Sequence, residues 1–205
     1  EMYIGDWSSD VCSSDLNFLV RSRQLFADKG LMAVVVDAPS DRQRAPFLNG
    51  FRQTEEHAAD LKATIAWARA TAKVPVWLVG TSRGTQSAAY AATVLQGADA
   101  PDGVVLTATI LSDDKQRPVP AMPLEQIKVP VLVVHHQQDG CSYCAYSEIP
   151  NLMAKLTHTP RSHLITATGG KNQGDACAAF AYHGFNGLEA DVVGQMADWI
   201  LAPAR

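Results

Sequence analysis

Short, nearly uninterrupted apolar runs recur along this chain: LMAVVV from Leu31, VPVWLVG from Val74, GVVLTATIL from Gly103 and VPVLVVHH from Val129. Each is rich in β-branched residues and lacks the polar alternation of a strand with one wet face. Such runs suit strands buried on both sides. Between them the period changes to that of a helix. FLVRSRQLFADKG places Phe18, Leu19, Leu25 and Phe26 at helical spacing and stops at Gly30, a C-terminal signal. Thr54 opens a second helix in which Ala58, Leu61, Ile65 and Ala68 recur on one face, with Glu55 and Glu56 in the first turn, where acidic groups suit the helix dipole. Further helices are expected after Ser82, near Tyr146 to Leu156, and along Leu188, Val192, Met196 and Trp199, the last preceded by a strand in SHLITAT. Strands alternating with helices predict an α/β fold, a mostly parallel sheet with helices on both faces.

The 205 residues, 47% of them hydrophobic, suffice for one core. The formal net charge of −4, with no Lys/Arg run, leaves no basic field for nucleic acid. No apolar run approaches the roughly 20 residues that cross a bilayer, so no membrane span is expected. Residues 1–16, EMYIGDWSSDVCSSDL, show neither period and no signal-peptide pattern. Their Ser and Asp density reads as a disordered tail, and the string resembles a translated sequencing adapter. On that reading the native protein is first seen near Asn17, residues 17–205 form a single, partial domain, and any export signal is out of view.

The chemistry-bearing stretch is VGTSRGT, where Gly80-Thr81-Ser82-Arg83-Gly84 joins an apolar strand to an alanine-rich helix. A Gly-x-Ser-x-Gly is weak evidence alone, and Thr81 and Ser82 suit a plain helix cap. Between a strand and a helix, however, small residues at both flanks permit a strained turn that exposes the serine hydroxyl. The backbone N–H of Arg83 then faces a developing oxyanion. A serine hydroxyl needs a base and an orienting acid. Asp139 follows the strand VPVLVVHH, and His183 follows the next strand, in AYHGFNG. Loops at the carboxyl ends of parallel strands sit side by side. Asp175, in the same loop as His183, is the competing acid. His135 and His136 read as core or rim residues, and Asp37 as a turn former.

GTSRG, HHQQDG and YHGF, in that order and on those elements, resemble the α/β-hydrolase superfamily, and more closely its compact dienelactone-hydrolase-like and bacterial esterase branches. The resemblance runs from Asn17 to Ile200. It implies Ser82 as nucleophile, His183 as general base and then acid, and Asp139 as the group fixing the imidazole tautomer. It also implies that N-terminal strands of the fold are lacking, together with the His-Gly loop that donates the second oxyanion N–H. SDDKQRPVPAMPLEQIK is too short for a lid domain, so an open site is expected.

Cys141 and Cys177 fall in the loops that carry the acid and the base, so a disulfide between them, with Cys144 as the alternative partner, would pin those loops together. That bond implies an oxidising compartment, periplasmic or secreted; three reduced thiols would suit the cytoplasm. A zinc site from these cysteines lacks a second close pair and competes for His183, so no metal and no cofactor is expected. Tyr143, Tyr146, Phe180, Tyr182 and Phe185 flank the triad loops as candidate pocket residues. The expected activity is serine-dependent hydrolysis of a carboxylic ester through an acyl-enzyme. The substrate is a small-molecule or polymer-borne ester, and neither its acyl group, its alcohol nor the oligomeric state is legible. A serine peptidase or acyltransferase shares the same residues. A non-catalytic binding protein, or an inactive fragment of the fold, needs the cleft without the hydrogen-bonded line.

Overall fold

The computed structural model describes residues 2–6 and 16–202. Six parallel strands form one sheet: β1 (Met2–Asp6), β2 (Met32–Val36), β3 (Val76–Thr81), β4 (Gly103–Thr107), β5 (Val131–His136) and β6 (Ser162–Ala167), in the spatial order β2-β1-β3-β4-β5-β6. The helices are α1 (Phe18–Arg21), α2 (Arg23–Asp28), α3 (Glu55–Ala72), α4 (Gly84–Val94), α5 (Ile149–Ala154) and α6 (Glu189–Leu201).

The unalternating strands are explained by two separate cores, one on each face. Along β3, Val76 and Leu78 point into the core that holds Ala58, Leu61 and Ile65 of α3 and Ala88 of α4, while Trp77 and Val79 enter the core that holds Phe26 of α2 and Val192 and Met196 of α6. Val104 and Leu106 of β4 divide from Val105 in the same way, as do Val131 and Val133 of β5 from Leu132 and Val134. With period-2 side chains facing apolar layers on both sides, every position must be apolar. A Cβ on Gly103 would collide with the Trp77 ring, which also meets Trp199 edge-on at 5.6 Å.

Thr54 caps α3, its hydroxyl accepting the His57 amide at 3.2 Å, and the four predicted face residues are all buried. The first predicted helix is divided: α1 ends at Ser22 and α2 begins beyond it, with Gly30 at φ 86° closing the segment.

Two expectations are corrected. Met32–Val36 was expected to be buried on both faces, yet Met32 and Val35 are exposed, because β2 is the edge strand of the described sheet. Residues 1–16 were expected to be a disordered tail, but Met2–Asp6 is β1, an interior strand paired with β2 and β3. A five-residue interior strand needs no alternation, and the Ser- and Asp-rich residues after it hide its pattern. Residues 7–15, with Cys12 among them, lie outside the described residues. No described helix is long and apolar enough to cross a membrane.

Candidate active site

The carboxyl ends of β3, β5 and β6 lead into the loops that carry Ser82, Asp139 and His183. Ser82 occupies the turn between β3 and α4 at φ 52°, the left-handed region that costs a non-glycine residue energy. Surrounding bonds hold it there. The Ser82 amide donates to the Thr107 carbonyl of β4 at 3.0 Å, and the Ser82 carbonyl accepts from the Thr85 amide and hydroxyl at 3.0 and 2.6 Å. A Cβ on Gly80 would strike the Gly84 carbonyl, so the first glycine of the motif is a packing requirement. Among the described residues no acceptor takes the Arg83 amide hydrogen. The Arg83 guanidinium is occupied elsewhere: it pairs with Asp113 and lies 4.8 Å from the centre of the Tyr143 ring. Burial alone would raise the Asp113 carboxyl, but the Lys115 amide, the Arg83 guanidinium and the Gln116 amide together hold it below the ordinary carboxylate range.

His183 sits in a single 3-10 turn, Tyr182–Gly184, ended by Phe185 at φ 55°. There is no room for a side chain at Gly184, where a Cβ would overlap the Ala179 carbonyl. The His183 Nδ1 lies 2.9 Å from Asp139 Oδ2, and the other carboxylate oxygen accepts the Cys141 amide at 2.9 Å. Asp139 is therefore the carboxylate that meets the imidazole. Asp175 instead bonds the Cys177 amide within its own loop, at 2.8 Å. His183 Nε2 is buried and without a partner among the described residues. Ser82 and His183 line one cavity of about 280 Å³ without a hydrogen bond between them, and its other walls come from Leu16, Asn17, Phe18, Thr81, Gly184 and the Cys177–Phe180 segment.

The histidines at the end of β5 support this site. His135 is fully buried, its Nε2 2.7 Å from the Cys144 carbonyl and 3.6 Å from Asp139 Oδ2. Burial pushes its pKa down, outweighing the Cys144 carbonyl and Asp139, so the ring is neutral and sits behind the acid. His136 stacks flat on Tyr182 at 4.3 Å, bonding the Gly169 carbonyl through Nε2 and accepting the Gln138 amide on Nδ1. The sequence reading left them as core or rim residues, and the structure buries both.

The candidate pocket aromatics require correction: Phe180 borders the cavity at Ser82, but Tyr143, Tyr146, Tyr182 and Phe185 do not. Tyr143 packs under Arg83 beside Ile110. Tyr146 bonds Thr166 at 2.6 Å, Tyr182 is spent on His136, and Phe185 is fully buried against Phe18 at 4.8 Å. The aromatic walls are Phe18 from α1 and Phe180 from the base loop. Sequence adjacency misled for the other four, whose rings are taken up by Arg83, Thr166, His136 and Phe18.

Cys141 and Cys177 form a disulfide, with Cα atoms 4.6 Å apart, joining the acid and base loops; Cys144 is a buried free thiol. Burial raises the Cys144 pKa above that of a free thiol, and its Sγ contacts the Ala108 carbonyl at 3.5 Å. Cys141, Cys144 and His183 bring potential ligand atoms within 4.8 Å of one another. They do not fit a zinc ion in this state, because the Cys141 sulfur is spent in the disulfide and His183 Nδ1 faces Asp139.

Closing a 36-residue separation removes loop entropy from the unfolded chain, worth about 3–4 kcal/mol in the chain-entropy treatment. The double variant Cys141→Ser/Cys177→Ser is therefore expected to melt roughly 7–14 °C below the parent. Scanning calorimetry of both proteins under non-reducing conditions checks this. A difference under about 2 °C would mean that packing alone holds the two loops.

No protein-family model matches the chain, and no curated protein matches it by sequence. Solved structures do. A cold-adapted esterase from an Arctic intertidal metagenomic library is similar with a TM-score of 0.65 at 15% identity, covering 96% of this chain and 81% of that one. Dienelactone hydrolase from Anabaena variabilis is similar at 0.66 and 14%, over 100% of this chain and 87% of the other. A lidless α/β serine hydrolase from Xanthomonas campestris is similar at 0.62 and 17%, over 100% and 84%. In this chain too, two short 3-10 turns, Val119–Ala121 and Leu124–Gln126, are the only helical pieces between β4 and β5. The parallel sheet, the covering helices and these likenesses together establish that the chain has the α/β-hydrolase fold.

Proposed function

We propose that this protein is a serine hydrolase of carboxylic esters, acting through an acyl-enzyme. The observation that carries the reading is the polarised histidine: Asp139 Oδ2 faces His183 Nδ1 at 2.9 Å, Nε2 has no partner among the described residues, and His183 and Ser82 line the same cavity. A carboxylate at Nδ1 keeps the proton there and leaves the Nε2 lone pair free to take one from a hydroxyl. In the first half-reaction the Ser82 oxygen adds to the ester carbonyl and its proton passes to His183 Nε2. The tetrahedral oxyanion lies against the Arg83 amide, at the start of α4, whose dipole favours negative charge. Collapse of that intermediate expels the alcohol, which takes the proton from His183. Water then repeats the sequence on the acyl-enzyme, with the carboxylic acid leaving and Ser82 restored.

The cavity selects among esters. Beside the polar Asn17, Thr81, Ser82 and His183, its walls at Leu16, Phe18, Ala178, Ala179 and Phe180 are apolar, and among the described residues no Lys or Arg side chain lines it. A small, uncharged acyl group suits such a wall, whereas a free carboxylate on the acyl side would enter it without a counterion. The disulfide between the acid and base loops suits an oxidising compartment, periplasmic or extracellular.

The test is labelling by a fluorophosphonate, combined with hydrolysis of p-nitrophenyl acetate and butyrate. One equivalent of adduct on the peptide containing Ser82, appearing as turnover disappears, is the expected result. An adduct elsewhere, or turnover that survives full labelling of Ser82, would remove the nucleophile from this reading. Turnover of esters without turnover of the matching amide or transfer to added alcohol would separate the esterase from a peptidase or acyltransferase on the same residues.

A further inference from the structure

A tetrahedral oxyanion gains most from two donors converging on it, and the Arg83 amide is one. Asn17 presents another in the same cavity. It immediately precedes α1, and its side-chain Oδ1 accepts the Leu19 amide hydrogen at 2.9 Å. An amide N–H can only donate, so this bond decides which end of the Asn17 side chain is oxygen and which is nitrogen. Its Nδ2 has no acceptor among the described residues, and Asn17 lines the cavity with Ser82 and His183.

The position is rigid for reasons unrelated to the cap. Phe18 and Leu19 are buried, and Phe18 packs on Phe185, two residues beyond the base. Arg21 of α1 pairs with Glu189 at 2.9 Å and donates to the carbonyl of Gly184, next to His183. Asn17 is thereby held in register with the base loop by two independent ties, which is the preorganisation that an oxyanion donor requires.

We propose that the Asn17 side-chain N–H donates the second hydrogen bond to the oxyanion formed at Ser82, opposite the Arg83 amide. The inference rests on the esterase reading above. The hydrogen bond strengthens as negative charge develops on the carbonyl oxygen, so it acts on kcat more than on KM.

Two variants test it. Asn17→Asp keeps an oxygen for the Leu19 amide and the same shape but removes the donor; Asn17→Gly removes the donor without adding charge, and glycine at a cap costs little stability. Both are expected to lower kcat for p-nitrophenyl butyrate by about 10²–10³, with KM within about threefold and melting temperature nearly unchanged. Affinity for a trifluoromethyl ketone, which forms an oxyanion on Ser82, should fall by the same factor as kcat, and affinity for butyrate should not. Retention of kcat within threefold in Asn17→Gly, or a loss confined to Asn17→Asp, would overturn the donor role, the latter showing charge repulsion alone. An unsubstituted protein with neither turnover nor a Ser82 adduct would overturn the esterase reading and this inference with it, an outcome distinct from an active parent with unaffected variants.

Discussion

Replacing His183 with alanine is expected to lower kcat for an activated ester about 10⁵–10⁶-fold, as removal of one member of a unit that acts together does. The size follows from the lack of a substitute. His135 is the next imidazole, 3.6 Å from Asp139 Oδ2, but its Nε2 is committed to the Cys144 carbonyl and it is fully buried behind the acid. His136 is stacked under Tyr182 with both ring nitrogens bonded. Neither lines the cavity. Without His183 the Ser82 proton has no acceptor, and water would have to take it at a cost close to that of the uncatalysed reaction. Pre-steady-state and steady-state hydrolysis of p-nitrophenyl acetate, read beside circular dichroism and melting, checks this. A folded variant that keeps more than a hundredth of the parent kcat would give the base role to another group.

Asp139→Asn is expected to lower kcat about 10⁴-fold while leaving the fold in place. Two contacts set the outcome. Oδ1 accepts the Cys141 amide and Oδ2 faces His183 Nδ1, both at 2.9 Å. An asparagine of the same shape satisfies the Cys141 amide with its oxygen and must then turn its NH2 towards the imidazole. A donor at that position requires an unprotonated Nδ1, so the proton moves to Nε2 and the base is lost without any displacement of atoms. The variant should fold and bind substrate, and kcat rather than KM should carry the loss. Activity within tenfold of the parent would mean that the acid is elsewhere, with Asp175 the first candidate. That residue is occupied by the Cys177 amide at 2.8 Å, which argues against it.

The elements most readable from sequence were those whose cause is local. Thr54 and the buried face of α3 follow from a cap and a period of 3.6 residues, which need no knowledge of distant chain. The two-faced burial of β3, β4 and β5 followed from unalternating composition. The same reasoning failed for β2, where composition resembles that of the central strands but the burial depends on being at the edge. It also failed for Met2–Asp6, whose strand is stabilised by hydrogen bonds to β2 and β3 from more than 25 and 70 residues away.

The site divides along the same line. Ser82 was legible because a strand, two small residues and a helix start are contiguous, and the turn they form is a local object. Asp139 and His183 were legible from their order along parallel strands, since the topology brings strand ends together whatever the loops contain. The pairing of Cys141 with Cys177 was an expectation of the same kind, and the structure forms that bond. The pocket was legible only at Phe180: Phe18 reaches the cavity unforeseen, while Tyr143, Tyr146, Tyr182 and Phe185 do not reach it. Which way an aromatic ring points depends on what already fills the space beside it, here Arg83, Thr166, His136 and Phe18. The placement of Ser82, Asp139 and His183 was therefore written in residue order and local geometry, whereas the walls of the cavity arose from packing between segments far apart in the chain, because side-chain direction is decided by neighbours that only folding supplies.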